Sequence, residues 1–426
     1  MSTGTLAIII FLVILAQVAV VILLGLYRRK QQYKTLTNQA SEVQTAPATE
    51  LADPITSVEV VNSDQVWEGF KEFIVERREM EDNNQSICSF YLVPADGKPL
   101  PTFKPGQFLT FKLQIDDPIS NKTKSVVRCY SLSDAPRPNY YRVSIKRVPA
   151  PTDQPDVPAG VSSNFFHDHL QQGSLLQVKA PSGHFHLMEQ EPLPIVLIGG
   201  GIGITPMLST LNTLLENGSN REVWLYYGIR NGDEHIMKQH LQALDEAHNN
   251  FHLHICYSAA KKNDMEGVDY QHSDRVGIPL LRATLKMMRY QFYICGPKPM
   301  MESLVPGLEE WGVNSDDIYY ESFGPAALIK HVKTKLQPVT SEPCTISFSR
   351  SGKNIAWNPA FDSLLELAED NGIDVDSGCR AGSCGSCQTA VSAGETEYNQ
   401  QPDADVESGH CLLCISTPIG NITLEA

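Results

Sequence analysis

The sequence predicts a multidomain protein with a transmembrane helix, an antiparallel β-barrel, an α/β nucleotide-binding domain and a small α+β domain. Three observations predict this order. Residues 5–27 form an uncharged apolar run, and alternating strand patterns later give way to strand, glycine turn and helix. The last part of the chain carries three closely spaced cysteines. At 426 residues, the chain is long enough for about two to four domains with cores of their own.

The apolar run at residues 5–27 predicts a membrane anchor. Its 23 residues contain no charge, and about 20 suffice to span a bilayer. Arg28, Arg29 and Lys30 follow at once, whereas a cleavable signal peptide carries its positive charges before the apolar run. We therefore expect an uncleaved single-pass anchor with a basic flank (residues 1–30) in the inner membrane, with all later domains in the cytoplasm.

Changes of composition mark the expected domain boundaries. Residues 31–57 are polar and poor in large apolar groups, which predicts a flexible tether. Residues 58–188 show short alternating strands with turn signals, typical of an antiparallel barrel. Residues 189–328 follow the α/β pattern of strand, glycine turn and helix. A linker over 329–341 leads to the α+β domain at 342–426.

The charge of the chain is acidic and uneven. The net charge is −15, which argues against nucleic acid as a partner. From Ser341 to Ala426 there are 13 acidic residues and three basic ones, so this segment alone carries −10. The segment is either a solvated face or a docking surface for a partner protein with a basic face, and the sequence leaves both interpretations open.

The stretch from Cys379 through Cys384 to Cys387 has the spacing C-x4-C-x2-C, and Cys414 follows near the C-terminus. This spacing is typical of plant-type ferredoxins, in which four thiolates hold a [2Fe–2S] cluster. Zinc sites usually pair C-x2-C units instead. The spacing therefore predicts an iron–sulfur cluster, which carries one electron at a time.

Residues 342–426 resemble a plant-type ferredoxin as a whole, which implies a β-grasp fold. Near the end of the segment, Leu412-Leu413-Cys414 matches the L-x-C of that family. The resemblance implies that Cys414 is the fourth ligand. Cys411 aligns with an apolar position of the family and is expected to be a small buried thiol. The predicted metal ligands are Cys379, Cys384, Cys387 and Cys414.

A second motif, Arg128-Cys129-Tyr130-Ser131, lies at a strand end of the predicted barrel. An aromatic ring, a hydroxyl and a guanidinium suit a flavin ring, its N5 atom and its phosphate. The motif resembles the R-x-Y-S/T of the ferredoxin–NADP reductase superfamily. The resemblance implies that Arg128 neutralises a flavin phosphate, Tyr130 packs on the ring and Ser131 bonds N5. The predicted flavin set also includes Ser133 and Lys146.

Gly160 and Ser163 mark a tight turn into a helix. The backbone N–H groups and the dipole at such a helix start can hold a pyrophosphate. An ordinary N-capped helix would show the same sequence pattern. The stretch resembles the reductase part of flavohaemoglobins, which use FAD. The FMN-using phthalate-dioxygenase-reductase type shares the domain order but resembles this stretch less, so FAD is favoured over FMN. The predicted cofactor-binding residues here are Gly160, Val161, Ser162 and Ser163.

A glycine-rich loop follows the first strand of the α/β part and opens a helix. Its glycines would let a pyrophosphate approach the backbone. The loop resembles the superfamily's G-x-G-x-T-P motif, which implies that Thr205 contacts the nicotinamide end of a bound dinucleotide. The predicted cofactor-binding residues are Gly200, Gly201, Gly203, Thr205 and Pro206.

Cys295-Gly296-Pro297 follows a later strand and matches the superfamily's C-G-P. The resemblance places Cys295 near the nicotinamide C4, although a buried cysteine is also an ordinary small apolar residue. Glu321 and Phe323 match the end of the superfamily's modules, where the phenylalanine covers the flavin and the glutamate approaches the active centre. The predicted catalytic residues are Ser131, Cys295, Glu321 and Phe323.

The resemblance to the superfamily places Arg230 and Asn231 where the second ribose of a bound dinucleotide is recognised. The stretch from Asn231 resembles NADH-using flavohaemoglobin reductases, whereas Arg230 would suit the 2′-phosphate of NADPH. NADH is favoured, and NADPH stays open.

These features predict a membrane-anchored NAD(P)H-dependent reductase. Electrons would pass from NAD(P)H to FAD, to the [2Fe–2S] cluster and to a one-electron protein acceptor, such as an oxygenase, a desaturase or a hybrid-cluster-type protein. A quinone reductase and an electron-relay subunit of a larger membrane complex are the alternatives.

Overall fold

The computed structural model describes residues 67–117, 122–150, 159–188, 192–323, 344–380, 382, 384–399, 402, 404 and 406–426. All of these belong to one unit, Val61–Ala426. Within it, three large sheets follow one another along the chain.

The first sheet is six-stranded and antiparallel, in the order β4-β3-β6-β1-β2-β5. Its strands are β1 (Lys71–Met80), β2 (Ile87–Pro94), β3 (Phe108–Asp117), β4 (Lys122–Ser131), β5 (Tyr141–Lys146) and β6 (Leu175–Ser182). A bridge between Leu132 and Val143 joins the two outermost strands, so the sheet closes into the predicted barrel. Helix α1 (Val161–His169) contributes Phe166 to a core that also holds Phe90 and Phe111.

The second sheet is five-stranded and parallel, in the order β11-β10-β7-β8-β9. Its elements are β7 (Ile195–Gly200), α2 (Ile204–Glu216), β8 (Val223–Ile229), α3 (Lys238–Ala247), β9 (Phe251–Tyr257), α4 (Ile278–Thr284), β10 (Gln291–Pro297), α5 (Lys298–Glu310) and β11 (Ile318–Phe323). Ile195 and Leu197 enter one apolar cluster, and Val196 and Ile198 enter another. Because both faces are covered, β7 is a continuous apolar run.

The third sheet is mixed and has the order β13-β12-β18-β14-β16. Its strands are β12 (Thr345–Phe348), β13 (Lys353–Ala356), β14 (Gln388–Ala393), β16 (His410–Leu412) and β18 (Ile422–Leu424), while β15 (Thr396–Tyr398) pairs with β17 (Ser416–Pro418). Helix α6 (Leu364–Asp370) begins after Ser363, whose hydroxyl accepts from Glu366 N at 3.3 Å. The arrangement agrees with the α+β class expected for this segment.

Asp134 joins the barrel to the parallel-sheet domain. Its carboxylate accepts from Asn212 Nδ2 at 2.8 Å and from the Tyr140 hydroxyl at 2.8 Å. Burial raises the pKa of Asp134, but the Arg142 guanidinium and these donors outweigh it and lower the pKa below its usual range. An ion pair of 2.6 Å between Arg137 and Glu216 adds to the junction. The two domains are therefore joined through buried polar groups as well as apolar ones.

The expected membrane anchor needs correction. In the part of the chain that the structure describes, no helix is long and apolar enough to cross a membrane. The longest of these helices, α2 and α5, have 13 residues each, whereas a span takes about 20. This finding contradicts the inner-membrane location and the membrane contact expected above. The span at residues 5–27, the tether at 31–57 and the linker at 329–341 lie outside the described residues.

Candidate functional site

Three strand ends bring Ser131, Cys295 and Glu321 together. Ser131 is the last residue of β4 and is buried. Cys295 on β10 and Glu321 on β11 are direct neighbours in the parallel register, and the Ser131 hydroxyl hydrogen-bonds the Glu321 carboxyl. Phe323, the fourth predicted catalytic residue, ends β11 in register with Pro297. The strand order thus assembles residues that are far apart in the sequence.

Glu321 has unusual electrostatics for a carboxyl group. Burial raises its pKa to about 7, and the hydrogen bond from Ser131 opposes that rise only in part. Its Oε2 atom is buried and has no hydrogen-bond partner among the described residues. Buried polar atoms are nearly always paired, so this orphan atom fits the polar edge of a bound ring. Near neutral pH, the group can both donate and accept a proton.

Tyr130 lies between the barrel core and the start of helix α1. Its ring packs edge-on against Phe166 with centroids 5.1 Å apart, and it lies 5.8 Å from the ring of Phe111. Its hydroxyl donates to Ser162 Oγ at 3.0 Å. Burial raises the pKa of Tyr130 to about 12, so the phenol is neutral. The contact ties the predicted ring-packing residue to the predicted pyrophosphate turn.

Helix α1 starts at Gly160 without a side-chain cap. The Ser163 hydroxyl is engaged locally, since it donates to Gly160 O at 3.2 Å and accepts from Val148 N at 3.3 Å. A Cβ atom on Gly160 would lie 2.8 Å from that hydroxyl oxygen, which is too close for any larger residue. The first N–H groups of the helix, which start at Val161, therefore meet no capping side chain and fit an anionic group.

Three residues of the predicted flavin set contact other protein groups and not the centre formed by Ser131, Cys295 and Glu321. Arg128 donates through Nη1 to Val127 O at 2.6 Å and to Ser377 O, in the third domain, at 3.4 Å. Ser133 is fully buried within the barrel. Lys146 forms an ion pair of 3.1 Å with Glu234 of the parallel-sheet domain. The structure does not bring these side chains to the centre.

The glycine-rich loop after β7 packs closely on the end of β10 and the start of α5. A Cβ atom on Gly203 would collide with the carbonyl oxygen of Cys295, and one on Gly200 would lie 2.5 Å from Met300 Sδ. Gly296, near the end of β10, faces the same sulfur, and a Cβ atom on it would lie 2.8 Å away. Gly201 differs, because it has a φ of +55° and a Cβ atom on it would have no neighbour within 4 Å. Only Gly201 of these four leaves space through which a phosphate can approach the backbone.

Thr205 and Pro206 lie in the first turn of α2 and are buried. The Thr205 hydroxyl donates to Ile202 O at 2.9 Å, so it stabilises the loop that carries the glycines. The sequence thus predicts cofactor binding at two helix starts, those of α1 and α2.

The turn after β8 is acidic. Asn231 Oδ1 accepts from Asp233 N at 3.2 Å and shapes the turn. The guanidinium of Arg230 is 76% exposed and lies 3.9 Å from the carboxylate of Glu234. Asp264 accepts from the amide that follows Asn231, at 3.3 Å. Glu234 is therefore the carboxylate that lies beside Arg230, while Asp233 pairs with Lys261.

The predicted ligand cysteines form two pairs. The amides of Cys379 and Cys384 each donate to the other's sulfur at 3.3 Å. The thiols of Cys387 and Cys414 also hydrogen-bond each other, which raises the pKa of Cys414 and lowers that of Cys387. Among the described residues, no three His, Cys, Asp or Glu side chains converge as ligands for a single metal ion. Two pairs fit a [2Fe–2S] cluster, in which each iron takes two protein ligands.

The loop around these cysteines needs glycine. A Cβ atom on Gly378 would lie 2.8 Å from Cys384 Sγ, and Gly382 has a φ of +74°. Cys411 belongs to neither pair. It is buried on β16 opposite Thr389, and burial raises its pKa to about 11.

The cluster loop also contacts the barrel, which the sequence did not predict. Lys179 Nζ of β6 donates to Cys384 O at 2.7 Å. Cys129 of β4 approaches the sulfurs of Cys379 and Cys384. No local pattern identifies Lys179, but Cys129 lies inside the predicted flavin motif. Strand alternation would have pointed it away from the face that carries Tyr130.

Comparisons with known proteins agree with this three-part site. Three family descriptions match: the oxidoreductase FAD-binding domain over residues 73–187, the oxidoreductase NAD-binding domain over 197–305, and the 2Fe-2S iron-sulfur cluster binding domain over 349–418.

Relatives match about two thirds of this chain. The flavohemoprotein of Bacillus thuringiensis subsp. konkukian is 37% identical over 286 residues, 66% of this chain and 69% of that protein. The flavohemoprotein of Halalkalibacterium halodurans is 38% identical over 263 residues, 62% of each chain.

Solved structures show the same folds. The flavohem-like FAD/NAD-binding domain of nitric oxide dioxygenase from Vibrio cholerae has a TM-score of 0.52 at 29% identity, and the match covers 60% of this chain and all of that one. An intact type IV self-sufficient cytochrome P450 monooxygenase has a TM-score of 0.53 at 21% identity over 84% of this chain and 41% of that one, which is a likeness of fold alone.

The described strand ends, turns and cysteine pairs thus coincide with the matched FAD, NAD and 2Fe-2S domains. The chain belongs to the ferredoxin–NADP reductase superfamily, with flavohemoproteins among its relatives, and is an NAD(P)H-dependent oxidoreductase with FAD and a [2Fe–2S] cluster.

Proposed function

We propose that the protein passes electrons from NADH through FAD and the [2Fe–2S] cluster to a one-electron acceptor protein, such as an oxygenase, a desaturase or a hybrid-cluster-type protein. The observation that carries the proposal is the contact between the cluster loop and the barrel, where Lys179 Nζ donates to Cys384 O at 2.7 Å. When bound, the flavin takes a hydride and releases its electrons singly, and the cluster carries one electron at a time.

The role of the protein at the flavin is to position groups and to manage protons. In the proposed arrangement, Tyr130 packs on the flavin ring and Ser131 orients its N5 edge. Cys295 holds the nicotinamide face, and Phe323 covers the flavin. Glu321 supplies or accepts a proton at Oε2, since burial holds its pKa at about 7. Uncapped N–H groups at α1 and the open face of Gly201 bind the two pyrophosphates.

The acidic turn after β8 favours NADH over NADPH. A 2′-phosphate placed near Arg230 would also face the Glu234 carboxylate, which lies 3.9 Å from that guanidinium, and like charges brought together weaken binding. We expect kcat/KM for NADH to exceed that for NADPH by about tenfold or more, since about 1.4 kcal/mol of repulsion is enough for that factor.

The variant that tests this preference is Glu234→Gln. It removes the carboxylate that pairs with both Arg230 and Lys146, so two cations become available to a 2′-phosphate, and kcat/KM for NADPH should rise by about tenfold while the value for NADH changes little. Glu246→Gln, an exposed position on α3, removes the same charge elsewhere in the domain and should leave both values unchanged. Equal efficiency with the two nucleotides in the unaltered protein would contradict the assignment.

The acceptor is proposed to dock on an acidic face beside the cluster loop. The face consists of four exposed carboxylates: Asp362, Asp370, Asp374 and Asp376. Two neighbouring glutamates are engaged in structure, because Glu366 accepts from Asp362 N at 2.8 Å and Glu369 pairs with Arg380. The field of this face would attract a basic partner and accelerate its encounter with the cluster.

Cytochrome c, a basic one-electron protein, is the probe for docking. Its NADH-dependent reduction should slow as salt rises, since the screening length is about 10 Å at 0.1 M. Asp370→Asn with Asp376→Asn should slow it about threefold to tenfold at low salt. Glu309→Gln with Glu310→Gln, exposed on α5, is the matched control. A rate independent of salt, or quinone reduction faster than cytochrome c reduction, would contradict the proposal.

A further inference from the structure

Cys129 lies in β4 between two residues of the flavin motif. It pairs with Thr110 of β3 in the barrel sheet. The ring of the next residue, Tyr130, contacts Phe166 in the barrel core. Because successive side chains of a strand point to opposite faces, Cys129 points out of the barrel. On that side lies the loop of the third domain that carries the cysteine pairs.

The Cys129 thiol has three sulfur or oxygen neighbours. It hydrogen-bonds the sulfurs of Cys379 and Cys384, which form one of the two pairs. Thr110 Oγ1 lies 3.3 Å from Cys129 Sγ on the other side. Sulfurs that bind iron are thiolates and can only accept hydrogen bonds. The Cys129 S–H is therefore the donor in this cluster contact, and the Thr110 hydroxyl can donate to the Cys129 sulfur behind it.

The contact is held by a set of neighbouring interactions. Arg128 donates to Ser377 O at 3.4 Å, and Lys179 donates to Cys384 O at 2.7 Å. A Cβ atom on Gly378 would lie 3.3 Å from Val127 Cγ1, so the loop rests directly on β4. The cluster loop is thus fixed against the barrel at Ser377, Gly378 and Cys384, which keeps the Cys129 thiol beside its sulfurs.

We propose that Cys129 is a positioning residue that raises the reduction potential of the cluster by donating its S–H to the Cys379 and Cys384 sulfurs. The reduced cluster carries one more negative charge than the oxidised one, so a donor at its ligand sulfurs stabilises the reduced form more. One electron enters the oxidised cluster, and no atom is transferred. The inference depends on the proposed ligand set but not on the identity of the acceptor.

The test is a redox titration of the purified holoprotein with the cluster followed by electron paramagnetic resonance. Cys129→Ala should lower the equilibrium constant for reduction of the cluster by about tenfold. For one electron, this is a drop of about 59 mV in the midpoint potential. Cys129→Ser keeps an O–H donor and should restore most of the potential. Cys88→Ala, which removes a buried thiol on β2, should leave it unchanged.

The titration needs neither NADH nor an acceptor protein, so its outcome is independent of the proposed function. An unchanged potential in Cys129→Ala with full iron and sulfide content would overturn the inference. Loss of the cluster from both Cys129→Ala and Cys129→Ser, with retention in Cys88→Ala, would also overturn it, because the thiol would then be a ligand. If only Cys129→Ala loses the cluster, the test is the midpoint potential of Cys129→Ser. A drop of about 59 mV in that variant, a tenfold change in the reduction equilibrium, would contradict the donor role.

Discussion

Replacing Cys384 with serine is expected to abolish NADH-dependent reduction of cytochrome c while NADH-dependent reduction of ferricyanide continues. Cys384 is buried and forms one cysteine pair with Cys379, and a serine hydroxyl is a poor ligand for iron. Without the cluster, electrons can still reach the flavin, which ferricyanide can oxidise directly. Iron and sulfide assays, together with the visible spectrum, should show that the flavin remains and the cluster is lost.

Cys411→Ser is the matched control for this experiment. Cys411 is also buried in the same domain, but it belongs to neither cysteine pair. Its replacement should keep both the cluster and cytochrome c reduction. Retention of the cluster in Cys384→Ser, with its loss in Cys411→Ser, would reverse the proposed ligand assignment. Loss of both activities from a Cys384→Ser protein that keeps its flavin would contradict the order flavin before cluster.

Gly203→Ala is expected to weaken NADH binding by about 10- to 100-fold. Overpacking a tight site costs about 1–3 kcal/mol, and a Cβ atom here would collide with the carbonyl oxygen of Cys295. The glycine loop and the end of β10 would move apart, and both belong to the proposed nicotinamide site. The dissociation constant is measured by titrating the flavin spectrum with an unreactive nucleotide analogue. The content of FAD and iron should remain normal.

Gly277→Ala is the control for this substitution. Gly277 lies in the same domain, and a Cβ atom there would have its nearest neighbour at 3.6 Å, an ordinary contact. The control should bind the nucleotide normally. If Gly203→Ala also binds NADH normally, the glycine loop and the end of β10 do not form the nucleotide site.

The sequence predicted the three domain types because each leaves a local pattern. Alternating strands indicated the barrel, apolar strands with a glycine turn indicated the parallel sheet, and the spacing that begins at Cys379 indicated the iron–sulfur domain. The matched families confirm these three. The membrane location was wrong, because it was inferred from residues 5–27 alone. The site residues remain predictions, although Ser131, Cys295 and Glu321 do converge.

Features that depend on contacts between domains could not be predicted. Arg128 was assigned to a flavin phosphate, yet its guanidinium reaches Ser377 of the third domain. The glycines were assigned to phosphate approach, yet Gly203 is needed for close packing on β10 at Cys295. Both contacts join segments distant in sequence, so no window of local pattern contains them. The same limit hid the approach of Cys129 to the cluster loop.

The junction at Asp134 limits how freely these domains can be exchanged with those of relatives. The buried carboxylate takes one hydrogen bond from Tyr140 within its own domain and another from Asn212 across the junction. A transplanted nucleotide domain without an amide at the position of Asn212 would leave a buried charge short of a donor, at a cost of about 1–3 kcal/mol. A chimaera that keeps this barrel therefore has to keep the first helix of the parallel-sheet domain as well.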